Sequence, residues 1–135
     1  MNISLTDFLM LCLAGGVGSM MRAGLAAGLT RFLHPAWAIF VINVLGSFLI
    51  GGALGILLSG TSVLDAAQAP VGFTLFSVGL LGGFTTVSTF ALQVHALWQE
   101  GRQAWAGGVA FGSVLLCPVF ALVGFALASF MYGGG

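Results

Sequence analysis

The sequence predicts an all-α integral membrane protein built as a single domain of four transmembrane helices. Hydrophobic residues make up 59% of the 135 residues and charged residues only 4%, whereas about a quarter of a soluble protein is charged. The apolar residues also fall into four long segments, each with at least the roughly 20 helical residues that cross a bilayer. Together these observations exclude an ordinary soluble fold.

Short runs of polar residues, glycine and proline set the ends of the segments. The predicted spans are 5–29, 36–58, 71–98 and 104–131, within one domain that covers 1–135. An even number of spans puts both termini on the same side of the membrane. The connections contain Arg31, His34 and Pro35 in the first, Asp65 and Pro70 in the second, and Glu100 and Arg102 in the third.

The positions of Arg31 and Arg102 predict the orientation of the chain. Both lie in odd-numbered connections, and the second connection has no lysine or arginine. Cytoplasmic connections are enriched in these residues, so the first and third connections are predicted to face the cytoplasm. Because the bias rests on so few residues, insertion in both orientations is conceivable.

The third span departs from an ordinary membrane helix at its midpoint. Glycines and hydroxyl residues both weaken a helix interior, glycine by about 1 kcal/mol relative to alanine and Ser/Thr by offering the backbone other hydrogen bonds. The span is therefore either a continuous helix whose hydroxyls bond to the preceding turn, or a helix broken near 82–89. A broken membrane helix exposes N–H and C=O groups that form ion sites. The residues concerned are Gly79, Gly82, Gly83, Thr85, Thr86, Ser88 and Thr89.

Asn43 is an amide in an otherwise apolar stretch of the second span. It can tie helices together, which is worth around 1 kcal/mol or less in a membrane. Alternatively it can line a polar path and donate its N–H₂ group to an anion. The residue pattern leaves both roles open.

Arg22 and Phe90 are the other candidates for a site. Arg22 lies about 25 Å along the first helix, where a charged side chain is costly and is a functional candidate by default. It either faces an anion path or extends to the interface. Phe90 is either ordinary packing or an aromatic ring whose positive edge faces a small anion.

Other classes of function find little support. Cys12 and Cys117 are far apart and belong to no Cys/His cluster, so they indicate free thiols. No nucleophile–base arrangement is visible, which argues against an enzyme, and a net charge of zero gives no indication of nucleic-acid binding. A small exporter of cationic compounds would need a carboxylate inside a span, and the spans contain none at mid-depth.

Three runs of residues resemble the signature motifs of the Fluc/CrcB family of small fluoride channels. They are 15–22 (GGVGSMMR) in the first span, 41–51 (VINVLGSFLIG) in the second and 82–90 (GGFTTVSTF) in the third. Together with the length and the four spans, the resemblance covers nearly the whole chain.

The resemblance implies an antiparallel, dual-topology homodimer in the bacterial inner membrane, in contact with lipid. It implies two fluoride pathways along the subunit interface, by which fluoride leaves the cytoplasm and the cell gains fluoride resistance. It also implies one central structural Na⁺, held by backbone carbonyls that correspond to Gly82 and Thr85. The implied anion pathway consists of Asn43, Ser88, Thr89, Phe90, the Val87 position and Arg22.

Four positions depart from the family pattern. Val87 stands where the first pore phenylalanine is expected, and Gln93 where an acidic residue is expected. Phe111 replaces a tyrosine of the last helix, and Ile39 replaces a threonine ahead of the asparagine. The polar track is therefore thinner than usual, so a non-conducting or partner subunit of a heterodimeric channel remains an alternative.

Overall fold

The computed structural model of the protein describes residues 4–59 and 71–133. Within these ranges every regular element is helical and no strand occurs. The second connection, with Asp65 and Pro70, and the last two glycines lie outside the described residues. The helices are α1 (Leu5–Leu29), α2 (Pro35–Ser59), α3 (71–84), α4 (Val87–Gln99) and α5 (Gln103–Tyr132).

Four stretches are long and apolar enough to cross a membrane. They are α1, α2, α5 and the 29-residue stretch Val71–Gln99, which contains both α3 and α4. The predicted class, an all-α protein with four spans, is confirmed. The chain is therefore a multi-pass membrane protein.

Local sequence explains where several of the helices begin and end. Ser4 and Asp7 form a reciprocal capping box at the start of α1, each side chain accepting from the other residue's backbone N–H. Pro35 is the first residue of α2, where its missing N–H costs nothing. Gly101 follows α4 with a φ of 77°, a left-handed conformation that glycine adopts without a steric penalty.

Glycines set the packing of the bundle into two close pairs, α1 with α3 and α2 with α5. A Cβ atom on Gly18 would overlap the carbonyl of Leu80, and one on Gly83 would overlap the backbone of Gly15. Between α2 and α5, a Cβ atom on Gly51 would overlap the carbonyl of Ala121, and one on Gly124 would overlap the carbonyl of Phe48. The backbones therefore approach more closely than any larger residue allows, as small residues permit in membrane helices.

The third span is broken, and the continuous-helix alternative is wrong. α3 ends at Phe84, and Thr85 and Thr86 have extended backbones, with ψ of 150° and 130° respectively. α4 then starts at Val87. The sequence did not predict that residues Leu75–Leu81 of α3 form a π-helix. Such a wide turn is rare and often occurs near functional sites.

The first and third connections meet at one end of the bundle. His34 Nε2 lies 3.4 Å from Glu100 Oε2, and the rings of Trp37 and Trp105 pack edge to face with centroids 5.9 Å apart. The guanidinium of Arg102 lies 5.5 Å from the centroid of the Trp105 ring. This arrangement is typical of a membrane–water interface, where aromatic residues and arginines collect.

Candidate functional site

Asn43 joins α2 to the break by pairing with the backbone of one residue. Its Nδ2 donates to the carbonyl of Thr86 at 3.0 Å, and the N–H of Thr86 donates to Asn43 Oδ1 at 3.0 Å. The amide thus gives the N–H of Thr86 the acceptor that the break removes, and it gives the carbonyl of this N-cap residue a second donor beside the first N–H of the helix. Asn43 therefore ties helices together, and the second N–H of its amide has no partner among the described residues.

A groove of about 580 Å³ lies beside this pairing. Among the predicted site residues it is lined by Asn43, Gly82, Thr85, Val87 and Phe90, and none of its lining side chains is charged. Val87 is 81% exposed at its edge. The other lining residues are Ser47, Ile50, Thr86, Ser113, Val114 and Cys117.

Glycine lets the break pass close to α2. A Cβ atom at Gly46 would overlap the Cγ2 methyl of Thr85 and lie 3.3 Å from the Phe84 ring. Gly46 is buried and follows Asn43 by three residues on the same helix, which places both on one face. The sequence of α2 therefore provides both the space for the break and the amide that pairs with it.

The carbonyls of Gly82 and Thr85 receive no hydrogen bond in the described part of the chain. In a continuous helix the N–H of Thr86 would bond to Gly82, but it bonds to Asn43 Oδ1 instead. The N–H of Thr89, which would bond to Thr85, is directed at Thr86 Oγ1 at 3.4 Å. Both carbonyls lie on residues that line the groove. Carbonyls left free at a broken membrane helix are groups that coordinate cations in transporters.

The remaining predicted residues, Arg22, Ser88 and Thr89, form a second group with Thr86, which was not predicted as a site residue. We call this group the hydroxyl cluster. Arg22 Nη1 donates to Thr89 Oγ1 at 3.2 Å. Thr86 Oγ1 donates to Thr89 Oγ1 at 3.4 Å and lies 3.2 Å from Ser88 Oγ. Arg22, Ser88 and Thr89 do not line the groove. Thr86 joins the two parts, its backbone pairing with Asn43 and its hydroxyl belonging to the cluster.

Ser47, Ser113 and Cys117, like Thr86, line the groove but were not predicted as site residues. Ser47 follows Asn43 by four residues, and Cys117 follows Ser113 by four, so each pair lies on one helix face. That spacing is a signal that could have identified them. Ser113 Oγ is buried and has no partner within the described ranges.

The departures Ile39, Gln93 and Phe111 do not line the groove. Ile39 is buried and packs with Ile42 and Phe84, and Phe111 is 74% exposed. Of the four departures, only Val87 therefore affects the groove of a single chain.

Comparisons with known proteins identify the relatives of the chain. The model of the CrcB family, described as CrcB-like protein, Camphor Resistance, matches residues 9–125. A protein of Thermus thermophilus named fluoride-specific ion channel FluC is 36% identical over 128 residues, which are 93% of this chain and 96% of that protein. The protein of the same name from Opitutus terrae is 34% identical over 87% of this chain and 88% of its own length. Fluoride-specific ion channel FluC 4 of Brucella abortus is 36% identical over 85% and 86% respectively.

Proposed function

The chain belongs to the CrcB family, and from this premise we propose that it is a passive channel selective for fluoride. The observation that carries the proposal is the groove at the broken span. It offers an amide N–H, hydroxyls and an aromatic ring, and none of its lining side chains is charged. The relatives that the chain matches over most of its length are named fluoride-specific ion channels.

This set of groups suits a small anion that must keep moving. Fluoride is tightly hydrated, so a pathway has to replace its water with several donors at short range. Asn43 keeps one amide N–H free after pairing with Thr86, and Phe90 lines the same groove. A pore must bind strongly enough to admit the ion and weakly enough to release it. Neutral donors meet this condition because no fixed positive charge in the groove traps the anion.

The groove supports the proposal that the working unit is a homodimer. Residues of the break, together with Ser113, line a wall that opens beside Val87, an 81% exposed apolar residue. Irregular backbone at membrane depth is tolerated only where protein or a water-filled cavity covers it. A second copy, antiparallel as the family resemblance implies, would close the groove and leave only the outer helix faces to lipid.

The carbonyls of Gly82 and Thr85 fit a structural Na⁺. Both lack a hydrogen-bond donor in the described residues, and half-helix carbonyls are the ligands that membrane proteins use for this ion. No group of three His, Cys, Asp or Glu side chains that could hold a metal occurs among those residues. A bound Na⁺ would supply a positive charge close to the two breaks of the dimer. Gly82 and Thr85 of each copy would then hold the breaks together.

One observation favours the second candidate, a partner subunit of a heterodimeric channel. Val87 gives the edge of the groove an aliphatic side chain, whereas the resemblance implies the first of two pore phenylalanines at this position. A partner with a ring at this position could supply what the chain lacks. In either case the channel would let fluoride leave the cytoplasm down its gradient.

Efflux from liposomes tests the proposal. The protein is purified alone, reconstituted into vesicles loaded with fluoride or chloride, and the release of each ion is followed with an ion-selective electrode. Rapid release of fluoride without chloride is the expected result. No release of either ion from a folded sample would contradict a self-sufficient channel and favour the partner-subunit candidate, which co-expression with a second family member then tests.

A further inference from the structure

We propose that Arg22 is a positioning residue that acts through Thr89. On this proposal the guanidinium fixes the direction of hydrogen bonding in the hydroxyl cluster, so that the Thr89 hydroxyl presents its hydrogen to a passing anion. The inference rests on the proposed fluoride channel and assigns to Arg22 a role other than direct attraction of the ion by its charge.

Arg22 contacts the hydroxyl cluster from another helix. Its Nη1 donates to Thr89 Oγ1 at 3.2 Å, with Arg22 on α1 and Thr89 on α4. Within the described ranges the single close contact between a carboxylate and a basic side chain joins Glu100 to His34, so no carboxylate neutralises this guanidinium. A guanidinium only donates hydrogen bonds, and a hydrogen bond to a charged group is stronger than a neutral one. Its contact with Thr89 therefore has a fixed direction.

The two hydrogen bonds that Thr89 Oγ1 accepts orient the rest of the hydroxyl cluster. Thr89 Oγ1 accepts from Arg22 and from Thr86 Oγ1, which fills both lone pairs of a hydroxyl. Thr86 Oγ1 donates its hydrogen to Thr89 and accepts the backbone N–H of Thr89. Ser88 is therefore the donor in the 3.2 Å contact between Ser88 and Thr86. The hydroxyl hydrogen of Thr89 then has no acceptor among the described residues. Thr89 therefore faces its surroundings as a donor alone.

A free Thr89 hydroxyl has another option that Arg22 prevents. Threonine in a helix readily donates to the carbonyl three or four residues earlier. For Thr89 these are the carbonyls of Thr86 and Thr85, the second of which is a proposed Na⁺ ligand. Holding the oxygen of Thr89 towards Arg22 keeps its hydrogen off both carbonyls. The arginine thereby keeps the donor available to an anion and the Thr85 oxygen available to a cation.

A double-mutant cycle tests the proposal by fluoride efflux from liposomes at a series of fluoride concentrations. Arg22→Met and Thr89→Val each remove one partner of the contact while keeping most of the side-chain volume. Each single variant should raise the half-saturating fluoride concentration about tenfold, the factor that about 1.4 kcal/mol of lost interaction gives. The double variant should also show about a tenfold rise. Thr89→Ser, which keeps the hydroxyl, should stay close to the wild type.

Arg31→Met is the matched control, because it removes an exposed arginine just beyond the same helix and should leave the half-saturating concentration unchanged. Losses that multiply to about a hundredfold in the double variant would overturn the proposal, since Arg22 would then act independently of Thr89. A lower maximal flux with an unchanged half-saturating concentration would also overturn it, because a purely structural role has that effect. A wild type that releases no fluoride would instead contradict the proposed function, and the inference with it.

Discussion

Replacing Asn43 by leucine removes both hydrogen bonds that hold the break against α2. The side chains are similar in size, so the change leaves the N–H of Thr86 without a partner, takes one of two donors from its carbonyl and creates little empty space. Both lost bonds are 3.0 Å long. The variant should therefore be less stable as well as less conductive, which a residue that only lined the pathway would not cause.

The size of the effect follows from the two contacts. Interhelical hydrogen bonds in membranes average about 0.6 kcal/mol, so two bonds give a lower figure of about 1.2 kcal/mol. A buried group left unpaired costs about 1–3 kcal/mol, so the orphaned N–H of Thr86 gives an upper figure of about 3 kcal/mol. Even the lower figure lowers the thermal midpoint of a chain of this size by several degrees, at about 2–8 °C for each kcal/mol.

Thermal unfolding of the purified protein in detergent, together with fluoride efflux, measures both consequences. Asn43→Asp is informative because an ionised carboxylate still accepts from Thr86 N–H but cannot donate to its carbonyl. It should fall between the wild type and Asn43→Leu in stability. Ser47→Ala is the matched control, one turn along the same wall and without a hydrogen-bond partner in the described residues, and its midpoint should not change. An unchanged midpoint for Asn43→Leu would refute the reasoning, even if flux were lost.

Three further predictions concern the break and its surroundings. Gly46→Ala would force a methyl group against Thr85 and Phe84 and should destabilise the protein by about 1–3 kcal/mol, measured as a lower thermal midpoint; a midpoint equal to that of the wild type would show that the break does not need this space. Val87→Phe should change the rate of fluoride efflux without abolishing it, because it adds a ring at the edge of the groove; conduction that appeared only in this variant would mark the natural chain as a partner subunit. Replacing Na⁺ by a large organic cation should lower the midpoint of the dimer, since ligand binding to the folded state stabilises it; equal midpoints in the two buffers would contradict the Na⁺ proposal.

Much of the fold was predictable because membranes make sequence patterns unusually informative. A helix is the only element that can satisfy its own backbone in lipid, so long apolar segments directly predict spans. The break was predictable for a related reason. Glycines and hydroxyls cluster at the middle of the third span, where they weaken the helix and offer alternative partners to its backbone.

The arrangement around the break was harder to predict because it depends on tertiary contacts. Nothing in the run 82–90 shows that Asn43 pairs with the backbone of Thr86. Thr85 and Thr86 are extended, and Thr86 joins the groove to the hydroxyl cluster. Ser88 and Phe90 are two residues apart, so helical spacing places them on different faces of α4, but it does not show which face lines the groove. The walls supplied by Ser113 and Cys117 depend on how α5 packs against α2, which sequence spacing does not determine.

The π-helix of α3 was not predicted for a comparable reason. Its residues, Leu75–Leu81, are ordinary apolar membrane residues with one serine and one glycine. Its geometry accompanies the close approach of Gly79 to α1, where a Cβ atom would lie 2.8 Å from that of Ala14. A close fit between two helices is a property of the pair, so it leaves no clear pattern in either segment alone.

The reversal potential of the wild-type protein in a planar bilayer tests the central claim most directly. The protein is purified alone, a tenfold gradient of fluoride is set across the bilayer, and a large organic cation is the counter-ion. A self-sufficient fluoride channel predicts a current that reverses about 59 mV from zero, the value for a monovalent ion, and no current when chloride replaces fluoride. A current that persists in chloride, or none at all from a folded dimer, would contradict the claim.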